Sequence, residues 1–141
     1  MLSLTCKTAI KAVVCLASSS GEKAGMKEIA GMIGASEHTV GKVLQVLVRE
    51  EIINSAKGPN GGFYISGKQN SQPIIKVIEA IDGLEVFDQC GLGLSKCSST
   101  HPCPIHEEYK SIRNQFREMC RRKKISDLCD PVAEGLAYLV G

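Results

Sequence analysis

Three cysteines and a histidine crowd one stretch of the chain as Cys90-x6-Cys97-x5-Cys103-x2-His106. Gly91, Gly93, Ser95, Ser98, Ser99, Pro102 and Pro104 fill the spaces without apolar periodicity, so Cys90 to Pro104 reads as a loop, ordered by itself or by a ligand. Thiolates and imidazole are donors for zinc and iron. Unequal, medium spacings suit a cluster of several irons, whose ligands must reach different metal corners; compact structural zinc sites usually carry close pairs such as C-x2-C. An iron-sulfur cluster is therefore favoured over zinc, with Cys90, Cys97 and Cys103 as ligands, His106 as the fourth and His101 ranked below it. The plain alternative, idle reduced thiols, suits a lone cysteine better than three in one loop. Cys6, Cys15, Cys120 and Cys129 fall in helical patterns where a small apolar residue fits, and read as structural.

A second constellation suits nucleic acid. Val40, Val43, Leu44, Leu47 and Val48 repeat at helical spacing behind Ser36, an expected N-cap, with Glu37 in the positive first turn. The opposite face then presents His38, Thr39, Gly41, Lys42, Gln45 and Arg49. Gln reads adenine, Lys reads guanine or meets phosphate, and the helix N-terminus attracts phosphate. Lys57 opens a Gly-rich turn in which Gly61 and Gly62 would let backbone approach a narrow groove. Lys7 and Lys11 would add phosphate contacts. A solvated helix face and an ordinary hairpin turn are the bland alternatives.

The elements that must position these groups follow from periodicity. Thr5 to Ser18 reads as a first helix, ended by Ser18-Ser19-Ser20-Gly21. Met26 to Ile33 reads as a second, stopped by Gly34, and the Ser36 helix as a third: the order of a helix-turn-helix. Ile52 to Ser55, a turn over Lys57 to Gly62, and Phe63 to Ile65 form a hairpin, a wing. Pro73 and Gly83 bracket an apolar helix, Ile74 to Asp82, that closes the core. After the cysteine loop, Ile105, Tyr109, Ile112, Phe116 and Met119 recur at the spacing of a narrow seam, which predicts a dimerisation helix packed on its symmetry mate. Ile125 to Leu128 and Pro131 to Val140 are expected to cover that helix. The expected fold class is mainly α with a small β-hairpin wing: a winged helix-turn-helix over 1–83, the cluster-binding loop over 84–104, and the dimerisation helix with C-terminal segments over 105–141.

The chain of 141 residues allows one core with an appendage. No apolar run spans a bilayer and the N-terminus has no export pattern, which predicts a cytoplasmic protein with no membrane partner. Seven cysteines, an odd count, then argue for thiols or metal ligands over disulfides. Residues 1–68 carry eight Lys/Arg against five Asp/Glu, and 69–141 nine against ten, so the N-terminal half is the better polyanion face.

The stretches SAKGPNGGFYIS, PIIKVIEAIDG and CGLGLSKCSSTHPCPIH, in this order before a long helix, resemble the Rrf2 family of bacterial regulators, which includes the IscR and NsrR types. The resemblance covers nearly the whole chain. It implies that Cys90, Cys97 and Cys103 are cluster cysteines and that His106 is the IscR-type fourth ligand. The first inter-cysteine gap is six residues here, against five in the best-known members. Lys7 stands where NsrR-type sensors place an acidic ligand, which favours 2Fe-2S over 4Fe-4S. Lys57 stands at the wing arginine, keeping charge without the bidentate fork. The function so implied is a homodimeric DNA-binding transcriptional regulator, read as a repressor, that binds double-stranded DNA at a near-palindromic operator and senses redox state, nitric oxide or iron-sulfur status. The alternative is a cluster-free, thiol- or metabolite-responsive repressor of the same fold, as in the CymR-like branch; a small iron-sulfur electron carrier ranks third. No nucleophile-base pair or phosphate loop suggests an enzyme.

Overall fold

The computed structural model describes residues 2–19 and 21–140. In chain order the elements are α1 (Leu4–Ala17), α2 (Met26–Ile33), α3 (Glu37–Arg49), β1 (Asn54–Ala56), β2 (Gly62–Tyr64), α4 (Ile75–Ile81), α5 (His106–Arg122) and α6 (Ile125–Ala133). Two 3-10 turns, Gln69–Ser71 and Leu84–Phe87, complete it. The fold is the expected one, mainly α with a two-stranded wing. Ser20, part of the expected stop after the first helix, lies outside the described residues. Among those described, no helix is long and apolar enough to cross a membrane.

Helix α1 is the centre of the core. Its Ala9, Ala12, Val13, Val14, Cys15 and Leu16 are all buried, and their modest volumes let α2, α3, α4 and α6 pack around one helix. Ser3 starts it: the hydroxyl accepts from the Cys6 amide at 3.0 Å, while the Ser3 amide and hydroxyl donate to the Asp82 carboxylate at 2.9 and 2.5 Å. The N-cap thereby ties the start of α1 to the end of α4.

The helix-turn-helix forms as its sequence predicts. Gly34 ends α2 in the left-handed region at φ +66, and the Ser36 hydroxyl accepts from the Thr39 amide at 3.2 Å to cap α3. Helix α3 ends on a Schellman motif, in which Ile52 N–H reaches Leu47 O at 2.9 Å and Glu51 N–H reaches Val48 O at 3.0 Å. That motif places Glu51 at φ +60 and turns Ile52 inward beside Leu47, both buried.

The wing is shorter than expected. Its strands pair antiparallel with Asn54 opposite Tyr64 and Ala56 opposite Gly62. Ile52, Ile53 and Ile65, expected in the strands, are core residues instead. Phe63 exchanges two backbone hydrogen bonds with Ala24, at 2.8 and 2.9 Å, so the hairpin is braced by the segment before α2. Gln69 braces its base: the side-chain oxygen accepts from Asn54 Nδ2 at 2.8 Å and from the Ser66 amide at 2.9 Å, and Nε2 donates to Asn54 Oδ1 and to Glu51 O, each at 3.0 Å. A two-stranded hairpin is marginal by itself, so these braces give the wing a fixed direction.

The C-terminal third departs from expectation. The Leu84–Phe87 turn buries Val86 and Phe87 in the core, although it stands between the last core helix and the cysteine loop. Of the segments expected to cover α5, Ile125–Leu128 and the first residues from Pro131 join in one helix, α6, which packs on α1 instead, with Ile125 and Cys129 buried, and residues 134–140 continue without helix. A backbone bridge decides that path: Ile74 N–H donates to Lys123 O and Ile125 N–H to Gln72 O, both at 2.9 Å, turning the chain back at the end of α5.

Candidate metal centre and nucleic-acid interface

The loop from Cys90 to Pro104 brings its three cysteines together, with all Sγ atoms within 4.8 Å of one another. Cys90 Sγ and Cys103 Sγ are 3.6 Å apart, and His106 Nδ1 lies 3.2 Å from Cys97 Sγ. The expected fourth member, His106 at the first residue of α5, thus lies beside one of the three sulfurs. The three thiols are half-buried and free of disulfides. Backbone amides face the sulfurs, Leu92 N–H on Cys90 and Cys103 N–H on Cys97, each at 3.4 Å. Amide donation from Leu94 and Leu92 pulls the Cys90 thiol down to about 7, while partial burial pushes Cys103 up. Donors that stabilise thiolates around a soft, mixed sulfur-nitrogen set fit an iron-sulfur cluster or zinc. His101 is not part of the set: it is exposed, with Nδ1 3.3 Å from Thr100 Oγ1.

Residues of α5 and the Leu84–Phe87 turn hold this loop; Arg113, Arg117 and Phe87 were not singled out from sequence, and Tyr109 and Phe116 were expected in the dimer seam instead. Arg113 Nη1 donates to Gln89 O at 2.6 Å, and Arg117 Nη2 donates to Asp88 Oδ1 at 2.6 Å, fastening the entry of the loop to α5. Phe116 meets Phe87 with ring centroids 5.8 Å apart, and the Arg117 guanidinium lies over Phe87 at 5.4 Å. Gly91 lies against the Tyr109 ring, where a Cβ would come within 2.8 Å of it. These contacts cross 18 to 30 positions of sequence, beyond the reach of local patterns.

They also correct the expected seam. Tyr109 and Phe116 turn toward their own chain, whereas Ile105, Ile112 and Met119, seven residues apart, form an exposed apolar ridge on α5. Cys120 is fully buried at the end of that helix, in the structural role its helical context suggested.

On α3, His38, Lys42, Gln45 and Arg49 form one exposed stripe, with Arg49 loosely paired to Glu50 at 3.9 Å. The Ser36 hydroxyl is occupied by Thr39, to whose Oγ1 it donates at 2.9 Å. Gly41, half-exposed between His38 and Lys42, also seats Met26, whose Sδ would be 2.7 Å from a Cβ there. Gly61 and Gly62 are half-exposed, and a Cβ on either would strike the protein itself, on Gly61 the Ala56 carbonyl and on Gly62, at φ +142, the Ala24 backbone at 2.9 Å. Their small size serves hairpin closure, and the exposed tip is Lys57, Gly58, Pro59 and Asn60. Lys7 and Lys11 lie one turn apart on α1, Lys7 exposed and Lys11 half-buried.

Known proteins with this arrangement regulate transcription. The Rrf2 family model, described as an iron-dependent transcriptional regulator, matches residues 2–131. A protein of Aquifex aeolicus named as an HTH-type transcriptional regulator is 26% identical over 126 residues, which is 88% of this chain and 88% of that one. Among solved structures, CymR, the global cysteine regulator of B. subtilis, superposes with a TM-score of 0.73 at 18% identity, covering 92% of this chain and 95% of its own. T. potens IscR superposes at 0.71 and 17% identity, covering 97% and 91%. With the family model matched across nearly its whole length and the winged helix-turn-helix in place, the chain belongs to the Rrf2 family of DNA-binding transcriptional regulators.

Proposed function

We propose that the chain is a homodimeric cytoplasmic repressor that reads a near-palindromic operator and whose affinity for it is set by an iron-sulfur cluster, 2Fe-2S before 4Fe-4S, held by Cys90, Cys97, Cys103 and His106. One observation supports this reading: the three thiols converge, with Cys97 3.2 Å from His106 at the first turn of α5, the helix that carries the exposed Ile105, Ile112 and Met119 ridge. A bound cluster supplies one-electron chemistry and a target for oxygen or nitric oxide. The chain's own residues do the rest: amides hold the thiolates, Arg113 and Arg117 join the loop to α5, and a second copy packed on the ridge sets the spacing of two α3 helices. In this division 1–83 reads DNA, 84–104 holds the cluster and 105–141 dimerises, with Val86 and Phe87 lent to the core.

Lys42 and Gln45 are assigned to base edges, while His38, Arg49, Lys57, Lys7 and Lys11 contact phosphates, with Ser36 and Thr39 presenting the helix N-terminus. The test is anaerobic purification with iron and sulfide analysis, followed by DNA selection from a random pool with and without the cluster. A brown dimer selecting a near-palindrome in one state only is the expected result; a colourless, iron-free protein with the same DNA affinity under all treatments overturns it. A second reading, a cluster-free thiol switch, is favoured by one observation: Cys90, with its thiol at about 7, stands 3.6 Å from Cys103. In that case DNA affinity follows the oxidation state of Cys90 and Cys103 in iron-free protein.

A further inference from the structure

The three sulfurs are close enough to surround one ion, and the His106 imidazole nitrogen lies beside one of them, Cys97. With zinc-thiolate bonds of about 2.3 Å and zinc-imidazole bonds of about 2.0 Å, the edges of one tetrahedron are about 3.8 Å between sulfurs and about 3.6 Å from sulfur to nitrogen. The Cys90–Cys103 edge is 3.6 Å, the Cys97–His106 edge is 3.2 Å, and no sulfur pair exceeds 4.8 Å. In a two-iron cluster held by three thiolates and one imidazole, one cysteine must serve a different iron from the other two. Donors on different irons stand more than about 5 Å apart, because both irons and their bridging sulfides lie between them. No such separation is present among Cys90, Cys97 and Cys103.

We infer that this pocket, accepting that these four residues are the ligands, also binds a single tetrahedral divalent ion of the zinc type, one per chain, as a state alternative to the cluster. Unequal spacing in sequence does not prevent this, because the loop folds until its three thiols converge. Three thiolates, one neutral imidazole and one divalent ion leave a net charge of about −1, which the Leu92 and Cys103 amides offset by donating to Cys90 and Cys97. Binding displaces thiol protons to solvent and changes no oxidation state. Passage to the cluster requires one cysteine to withdraw from the other two. Since His106 opens α5, ion-bound and cluster-bound chains then differ in how the loop sits on that helix.

The test uses the full chain, stripped of metal under reducing, anaerobic conditions and titrated with Zn2+ and, as a spectroscopic probe, Co2+. Expected are one ion per chain and a Co2+ spectrum with intense tetrahedral bands and sulfur-to-metal charge transfer. Cys97→Ser should weaken Co2+ binding by more than about a hundredfold, beyond the cost of losing a supporting hydrogen bond. His106→Ala should retain one ion but shift the bands, and Cys15→Ser, a core cysteine, should leave the titration unchanged. Two ions per chain, a weak octahedral spectrum, or titrations indifferent to Cys97→Ser and His106→Ala would overturn the inference. The same stripped protein is separately given iron and sulfide. A cluster without stoichiometric Zn2+ binding rejects the single-ion state and leaves the proposed sensor standing; Zn2+ binding without a cluster does the reverse.

Discussion

Cys90 and Cys6 carry the same side chain in opposite surroundings. Amides of Leu94 and Leu92 donate to Cys90 and bring its thiol to about 7, whereas burial, with the Asp82 carboxylate and Cys120 nearby, pushes Cys6 up to about 12. Burial also takes Cys120 up to about 11. Since the thiolate is the nucleophile, alkylation of the metal-free chain should be selective. Iodoacetamide should modify Cys90 first, at a rate that rises as pH climbs through about 7 and then levels, while Cys6 and Cys120 stay unmodified until the chain unfolds. Peptide mass spectrometry across pH 5 to 9, a range set around that value, reads this; equal labelling of Cys6 and Cys90 in folded protein would contradict it. Glu51 gives a second prediction at the same scale. Its φ of +60, imposed by the Schellman motif that turns Ile52 into the core, costs a side-chain-bearing residue about 1 kcal/mol or more. Glu51→Gly should relieve that strain, less the extra entropy of glycine in the unfolded chain, and stabilise the fold by up to about 1 kcal/mol in urea denaturation. Destabilisation would mean that the Glu51 side chain contributes more than its backbone costs.

At the level of the element, α5 has two faces that need opposite tests. Ile112 and Met119 are exposed on the ridge, so Asp at both positions should leave the core intact and yield monomers by light scattering. Phe116 packs on Phe87, so Phe116→Ala should instead lower stability, by about 1 to 3 kcal/mol for a half-buried ring, with the dimer retained. If the Ile112 and Met119 double variant remains dimeric, the interface lies elsewhere. The periodicity of the helix was legible in sequence, but which of its apolar residues faced inward was not. The choice depends on Phe87, 29 positions from Phe116, and on Gly91, which makes room for Tyr109. The helix-turn-helix, by contrast, was readable to its caps, because Gly34 and Ser36 act on their immediate neighbours. Isoleucines 52, 53 and 65 read as strand residues since β-branching favours strands; burial against α3 and α1 overrode that preference. The loop cysteines could be picked out from type and spacing as a set, and the fold brings that set together. How many metal atoms their convergence admits depends on the folded loop, which sequence spacing does not fix.

Across the whole molecule, the proposed function requires DNA affinity to depend on what the cysteine loop holds, and so requires the ligand to favour one arrangement of two α3 helices over another. The physical route available is short. Arg113 fastens Gln89 and Arg117 fastens Asp88, so the loop pulls on α5 at two successive turns. Phe116 and the buried Cys120 pass that displacement to the core, where Ser3 and Asp82 join α1 to α4 and α1 packs directly on α3. Removing the fasteners should therefore spare the ligands and weaken the coupling. In Arg113→Ala/Arg117→Ala we expect a cluster with the parent's absorption, because neither arginine belongs to the sulfur and imidazole set. DNA affinity in one state should stay near the parent's, and the ratio of affinities with and without cluster should fall toward one. A coupling of 1 to 3 kcal/mol, typical of allosteric proteins, is about 5- to 150-fold in that ratio, wide enough for its loss to be read by anisotropy at one fixed salt concentration. Salt must be held constant, since affinity for a polyanion shifts steeply with it. Lysines at this position keep charge but lose the planar fork, so Arg117→Lys should recover only part of the ratio if the geometry of the Asp88 contact matters. Full retention of the ratio in the double alanine variant would show that the loop acts on α3 without passing through α5.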